Sequence, residues 1–265
     1  MNFAYKSILV VGATSGIGYG LSEKFLAEGR KVVLVGRRKD RLEEFVEKYV
    51  GKYGKEMMGY YVFDVTKLEE IGSWVEIVTK EHPDLDCVLL NSGIQRGFNF
   101  SKPSTVSMSL LQNELATNYT SHVYLTHAFL PFLLKKQSAS LMYISSGLAL
   151  VPLPRCLNYC ATKAALHQFI ISLRLHLKGT GVHVLEIMPP SVQTELHDEE
   201  VQPDIKDGRQ IGMPIGDFIE ETWAMLMEGN EYEEFPVGPV KEWYAAMEPG
   251  RRYILSKIPQ APAEC

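Results

Sequence analysis

Six short apolar runs recur along the chain without polar alternation: SILVV (7–11), KVVLVG (31–36), MGYYVFD (58–64), DCVLLN (86–91), ASLMYISS (139–146) and GVHVLEIMP (181–189). A strand with one face in water alternates apolar and polar side chains, whereas an unbroken apolar run suits a strand covered on both faces. The segments between them, at 16–29, 39–50, 67–80, 113–136 and 158–178, carry Glu, Lys, Leu and Ala at helical spacing. Strands that alternate with helices assemble as a parallel sheet with right-handed crossovers. The expected class is therefore α/β, a doubly wound parallel sheet (Rossmann fold) in three layers, with residues 1–265 forming a single domain. Residues 191–213 are polar and weakly periodic, an insertion over one sheet edge that is either a lid or a plain surface excursion. A helix is expected at 214–228 and a short apolar stretch at EFPVG. The tail from 239 contains prolines and the aromatics Trp243, Tyr244 and Tyr253, which would pack on the core or on a second subunit.

Charge and cysteine usage narrow the partners. A formal net charge of -5 repels phosphate backbones and anionic lipid, so neither nucleic acid nor membrane is expected. Cys87, Cys156, Cys160 and Cys265 form no CxxC pair, which fits a reducing, cytoplasmic setting. The first apolar run is short and broken by glycine, unlike a signal-peptide core, and no stretch approaches the roughly 20 apolar residues of a membrane span. The seven histidines are scattered, without HExxH or a His/Cys ligand group, so no metal is expected. The GxSxG elbow of hydrolases is absent.

Directly after the first run the sequence reads VVGATSGIGYG (10–20). Glycine accepts positive φ and lets backbone approach a ligand, and the helix that follows offers unpaired N–H groups and the positive end of its dipole. A pyrophosphate suits that cradle: Gly12 permits the tight turn, Gly16 the phosphate approach, and Gly18 close packing of helix on strand. The alternative is a glycine-rich turn with no ligand. At the end of the second run, where an NAD site usually carries a carboxylate for the adenosine ribose, the chain reads Gly36, Arg37, Arg38. Guanidinium groups there suit a 2'-phosphate, with Ser15 as a further contact, and basic residues opening a helix oppose its dipole, which leaves them no structural reason to be there. NADP(H) is thus expected over NAD(H).

Tyr159 and Lys163 stand four residues apart in NYCATKAALHQF, on one helical face. An ammonium one turn from a phenol favours its ionisation, and the two make a workable proton donor; a chance Tyr-x-x-x-Lys pair is the alternative. Upstream lie YISSG, with Ser145 and Ser146, and Asn118 in the preceding helix. The set resembles the short-chain dehydrogenase/reductase family in its compact single-domain form. The match runs over residues 6–196, through the glycine pattern, FDVT (63–66), LNSG (90–93), Asn118, ISS, YCATK and PPSVQT.

The resemblance implies a tetrad in which Tyr159 donates the proton in reduction and Lys163 binds the nicotinamide ribose and lowers the tyrosine pKa. Ser146, ahead of Ser145, bonds the substrate carbonyl, and Asn118 holds a water that links Lys163 to solvent. It further implies cofactor contacts from Gly12, Thr14, Ser15, Gly16, Ile17, Gly18, Arg37, Arg38, Asp64, Val65, Asn91, Ser92, Gly93, Pro189, Val192 and Thr194. Three positions depart from the family pattern: Val11 replaces the usual Thr, Leu90-Asn91-Ser92-Gly93 replaces Asn-Asn-Ala-Gly, and Pro189-Pro190 replaces Pro-Gly. The expected activity is that of an NADP(H)-dependent carbonyl reductase or alcohol dehydrogenase acting on a small-molecule carbonyl or alcohol, with a bulky hydrophobic ketone or aldehyde favoured. A nucleotide-binding regulatory or scaffolding protein is the alternative, and a lyase or epimerase the weakest reading. Pocket walls are expected from Gln95–Phe98, Leu148–Arg155 and 191–213, with Arg96 and Arg155 as anchors for an anionic group. A homo-oligomer, dimer or tetramer, would form through helices 113–136 and 158–178.

Overall fold

The computed structural model describes residues 3–258, so Cys265 lies outside the described residues. Seven strands, β1 (Ser7–Val11), β2 (Lys31–Gly36), β3 (Met58–Val62), β4 (Cys87–Leu90), β5 (Ala139–Ile144), β6 (Val182–Met188) and β7 (Glu234–Pro236), form one sheet in the order β3-β2-β1-β4-β5-β6-β7. Every pairing is parallel. The order reverses between β1 and β4, which opens a crevice beyond their carboxyl ends; open α/β sheets bind ligands there.

The unbroken apolar runs are explained by two buried layers. In β1, Ile8 and Val10 face a core built with α1 (Gly16–Ala27), α2 (Lys39–Tyr53) and α7 (Ile215–Glu228). Leu9 and Val11 face the opposite core, where α3 (Ile71–Glu81), α5 (Ser121–Leu133) and α6 (Leu157–His176) contribute Trp74, Phe129 and Ile170. Both sides of the strand lose water, so a polar residue on either face would forfeit about 2 kcal/mol or more of burial. Trp223 belongs to the first core, its ring 5.7 Å from Phe3 and 6.1 Å from Phe25.

Two helical expectations change. The helix expected over 113–136 begins earlier, as α4 (Met108–Leu115), passes through a π-helical turn at Ala116–Thr120 and continues as α5. Inserted turns of this kind re-aim side chains, and this one carries Asn118. The proline-containing tail is a helix, α8 (Val240–Leu255), despite Pro249 inside it. What compensates is tertiary. Val240 packs with Leu150 and Met188, and Glu234 of β7 receives Arg174, Arg252 and the Tyr244 hydroxyl. Val240, Trp243 and Tyr244 of the tail therefore pack on the core, while Tyr253 stays exposed. Among the described residues no helix is long and apolar enough to cross a membrane.

Phe129 is fully buried, with its ring at right angles to Trp74 at 6.1 Å. Phe129→Ala is expected to lower unfolding free energy by about 3–5 kcal/mol in urea titrations monitored by circular dichroism, through lost transfer energy and an unfilled cavity.

Candidate active site

A cavity of about 810 Å3 opens at the switch between β1 and β4, within the size range of small-molecule sites. Its floor is the glycine turn. Gly12 has φ +89° and Gly16 φ +55°, and a Cβ on Gly12 would stand 2.9 Å from the Ser92 amide nitrogen. Gly18 does not line the cavity: a Cβ there would overlap the Gly12 carbonyl and lie 2.5 Å from Asn91 Nδ2, so this glycine sets the helix-on-strand distance. Asn91 Nδ2 donates to the Gly12 carbonyl at 2.8 Å and ties the β4 loop to the turn. Ser15 precedes α1 without capping it, and the first turn holds no acidic side chain. The helix thus presents free N–H groups and an uncompensated dipole to the cavity, which fits a pyrophosphate.

The rim beyond β2 corrects part of the sequence reading. At Gly36 an added Cβ would overlap Thr14 Cγ2, so a larger residue there requires that methyl to turn aside. Arg37 is exposed, with Nη1 3.9 Å from Asp64 Oδ2. Arg38, in contrast, has structural reasons for its place: its guanidinium donates to Thr14 Oγ1 at 2.9 Å and Ser15 Oγ at 2.7 Å, and pairs with Glu195 at 2.7 Å. Arg37, by contrast, has only its long, exposed pair with Asp64 among the described residues. Asp64 Oδ1 accepts from the Thr66 amide and hydroxyl at 3.0 and 2.8 Å, which orders the loop carrying Val65.

Thr14, Ile17, Val65, Ser92, Pro189, Val192 and Thr194 also line the cavity, as do Ser145, Ser146, Tyr159 and Lys163. The candidate proton-handling groups come from α6 and the end of β5. Tyr159 and Lys163 share one face of α6, and Lys163 Nζ stands 5.7 Å from the tyrosine ring centroid while donating to the Ile144 carbonyl at 2.9 Å. Ser146 Oγ accepts from the Leu148 amide at 3.0 Å. Ser145 Oγ is turned to the Ile187 carbonyl. Burial pushes the Tyr159 phenol up, opposed by its hydrogen bond with Ser146. The nearby Cys156, Cys160 and Glu114 add to that rise. Burial also lowers Lys163 to about 8, against the opposing charge of Glu186.

Asn118 lies behind the wall instead of on it. Its Oδ1 accepts from the Ile94 amide, and its Nδ2 donates to the Ile94 carbonyl and Thr162 Oγ1, at 2.8, 2.8 and 3.1 Å. It holds the 93–95 backbone against α6. Glu114, which the sequence reading missed, does the same one turn earlier: fully buried, it accepts from the Arg96 amide at 2.9 Å and from Asn158 Nδ2 at 2.6 Å, next to Tyr159. No spacing signals it.

Residues 191–213 form the outer wall, resolving the lid-or-excursion alternative toward a cover on the cleft. Met213 donates to the Ser191 carbonyl and Gln193 to that of Met213, both at 2.9 Å. Val201, Ile205 and Ile211 face the cavity opposite Leu148 and Leu153, and Trp243 of α8 closes the end. Arg155 is spent on this wall, bonded to Asp204 at 2.7 Å by Nε and by Nη2 and to Gln202 at 2.7 Å. It is therefore corrected as an anion anchor. Among Gln95–Phe98, Gln95 and Arg96 line the cavity.

Residues 6–204 match the family model described as short chain dehydrogenase. The chain is 34% identical over 199 residues to the uncharacterized oxidoreductase DltE of Bacillus subtilis (strain 168), covering 75% of this chain and 76% of that protein. A short-chain dehydrogenase from Sphingobium yanoikuyae in complex with NADPH superposes with a TM-score of 0.80 at 23% identity, covering 97% of this chain and 98% of the other. A short chain dehydrogenase/reductase from Burkholderia phymatum in complex with NAD gives 0.77 at 17% identity, covering all of both chains.

Because Gly18 sets the distance between α1 and the Gly12 carbonyl, Gly18→Ala is expected to displace the helix and cost about 2–3 kcal/mol of stability, the range of an overpacked contact. Gly29→Ala, where no atom crowds the added carbon but φ is +72°, serves as the comparison for strain without a clash. Denaturant midpoints measure both, and equal losses would contradict the steric assignment.

Proposed function

The chain belongs to the short-chain dehydrogenase family of oxidoreductases, and from that footing we propose that it is an NADP(H)-dependent carbonyl reductase or alcohol dehydrogenase acting on a small-molecule carbonyl or secondary alcohol. The observation that carries this reading is a buried, protonated phenol and an ammonium one turn apart, inside the same cavity as an uncapped glycine turn. The dinucleotide, when bound, supplies or accepts the hydride. Binding, orientation and proton transfer fall to the chain.

In reduction, Ser146 Oγ hydrogen-bonds the substrate carbonyl oxygen and fixes its direction toward α6. The Tyr159 hydroxyl gives that oxygen its proton as negative charge develops on it, and the phenol's raised pKa keeps the proton in place until then. Lys163 offsets the phenolate left behind, since a charged ammonium nearby favours the ionised form. Asn118 and Glu114 keep the facing wall rigid through Ile94, Arg96 and Asn158. Leu148, Leu153, Val201, Ile205, Ile211 and Trp243 exclude water and suit a bulky apolar carbonyl compound.

The preference for NADP(H) rests on Arg37 at an open rim where Gly36 supplies no carboxylate, with Arg38 fixed beside Ser15 by Glu195. Exposed Met108, Leu110 and Leu115 on α4, Tyr124 on α5 and Leu157 on α6 support assembly with further copies as a dimer or tetramer. We place the protein in the cytoplasm on its unpaired cysteine spacing.

Tyr159→Phe is expected to reduce turnover of any accepted carbonyl by at least about a thousandfold, judged from general-acid contributions, with NADPH affinity by fluorescence titration nearly unchanged; retained turnover would refute the assignment. Arg37→Asp is expected to raise the Kd for NADPH about tenfold or more while sparing NADH; equal effects on the two would count against the rim reading. With Lys163 at about 8, carbonyl reduction should hold below that pH and decline above it as the ammonium loses its proton, read from kcat/KM across pH 6–10.

A further inference from the structure

Behind Lys163, on the side away from the cavity, four charged side chains are gathered where none is needed to fold a sheet. Glu186 of β6 is 0% exposed, and His167 and Glu248 are 1% exposed each. His167 follows Lys163 by four residues and so occupies the same face of α6. Its Nδ1 meets both oxygens of Glu186, at 2.9 and 2.8 Å, and its Nε2 faces Glu248 of α8 at 3.4 Å. Arg251 completes the row at 3.4 Å from Glu248. Buried ion groups seldom repay their desolvation as stability, and apolar residues of like volume often serve a core as well or better. A row of this kind next to a buried ammonium invites a role in that ammonium's chemistry.

The backbone fixes the relation between them. Glu186 is paired in register with Tyr143, and Ile187 with Ile144, whose carbonyl accepts from Lys163 Nζ. The Glu186 carboxylate and the Lys163 ammonium therefore lie over adjacent positions of the β5–β6 pair, under the same helix. The other groups around Lys163 do not supply a counter-charge. Tyr159 is held neutral by burial. His122 of α5 is driven down to about 3 by burial and then by Lys163 itself, so it too is neutral. Asn118 carries no charge. His167 is cationic, raised to about 9 by Glu186 and Glu248 against its burial, and Arg251 is cationic as well. Glu186 and Glu248 both bear on His167, but Glu248 lies beyond it on α8 beside Arg251, and it is the Glu186 charge that acts on Lys163.

We propose that Glu186 is the fixed counter-charge of Lys163, with His167 and Glu248 holding its carboxylate in place, which makes these three residues positioning residues for proton transfer at Tyr159. The inference rests on the role given to Lys163 above. It also gives α8 a second function, because the helix that closes the cavity with Trp243 fixes, through Glu248, the histidine that orients Glu186.

The test uses the full-length protein and reads Lys163 in two ways, by the upper limb of the kcat/KM pH profile and by its own 15Nζ resonance, assigned with Lys163→Met. Glu186→Gln removes the counter-charge and is expected to move both the resonance titration and the kinetic limb down by about one pH unit. His167→Gln removes a cation from the same neighbourhood and is expected to move both up by about one unit. Opposite displacements are the signature of charge, since loss of packing alone lowers amplitude without setting a direction. Should Glu186→Gln not fold, the upward movement in His167→Gln carries the test. An unmoved resonance, or movement of both variants in one direction, overturns the inference. A resonance that moves while the kinetic limb stays would leave Glu186 as the counter-charge and overturn instead the catalytic role of Lys163.

Discussion

The first helix lies so close to the first strand that a single added carbon on Gly18 would overlap the Gly12 carbonyl. That closeness aims the uncapped N–H groups of α1 at the cavity, and it is secured from the neighbouring strand by Asn91, whose amide donates to the same carbonyl. Because β1 and β4 are neighbours whose connections run to opposite faces of the sheet, the glycine turn and the LNSG loop meet at one point. The rest of the site is built outward from there, with the cofactor cradle on one side and α6 on the other.

The structure separates residues that reach the cavity from residues that hold its wall. Tyr159, Lys163 and Ser146 reach the cavity, whereas Asn118 and Glu114 stand behind it, bonded to the backbone of Ile94 and Arg96 and to the flanks of α6. A buried acid with both oxygens accepting costs far less than an unpaired one, and in return it removes freedom from the loop that lines the cavity. Arg38 and Glu195 make a comparable tie across the mouth, between the glycine turn and the outer wall. The cover over the cleft is thereby fastened at its two ends, by Arg38 near the cofactor rim and by Arg155 with Asp204 near the substrate end.

Ionisation in the site is governed first by burial and only then by neighbours. Two groups that would help one another in water are both pushed toward their neutral forms, the phenol upward and the ammonium downward. A counter-charge beneath Lys163 is the fold's means of keeping that ammonium charged without opening it to solvent, and it comes from a strand that the sequence pattern marks only as apolar.

The alternation of strand and helix, the glycine turn and the Tyr159–Lys163 spacing were all legible in the sequence, because each is a local relation: strand burial on two faces, backbone freedom at named positions, and one turn of helix. The π turn at Asn118 and the helical state of 240–255 were not, since Pro249 and an irregular turn argue locally against what packing on Leu150, Met188 and Glu234 enforces. Nor could spacing show that Arg155 is consumed by Asp204, that Arg38 meets Glu195, or that Glu114, Trp243, His167 and Glu186 converge on the site. Those pairings join residues dozens of positions apart, and only the closing of the sheet brings them within reach. The chain's order of elements determined where the glycine turn and the Tyr159–Lys163 pair would lie; the packed sandwich decided which charges are free to act there.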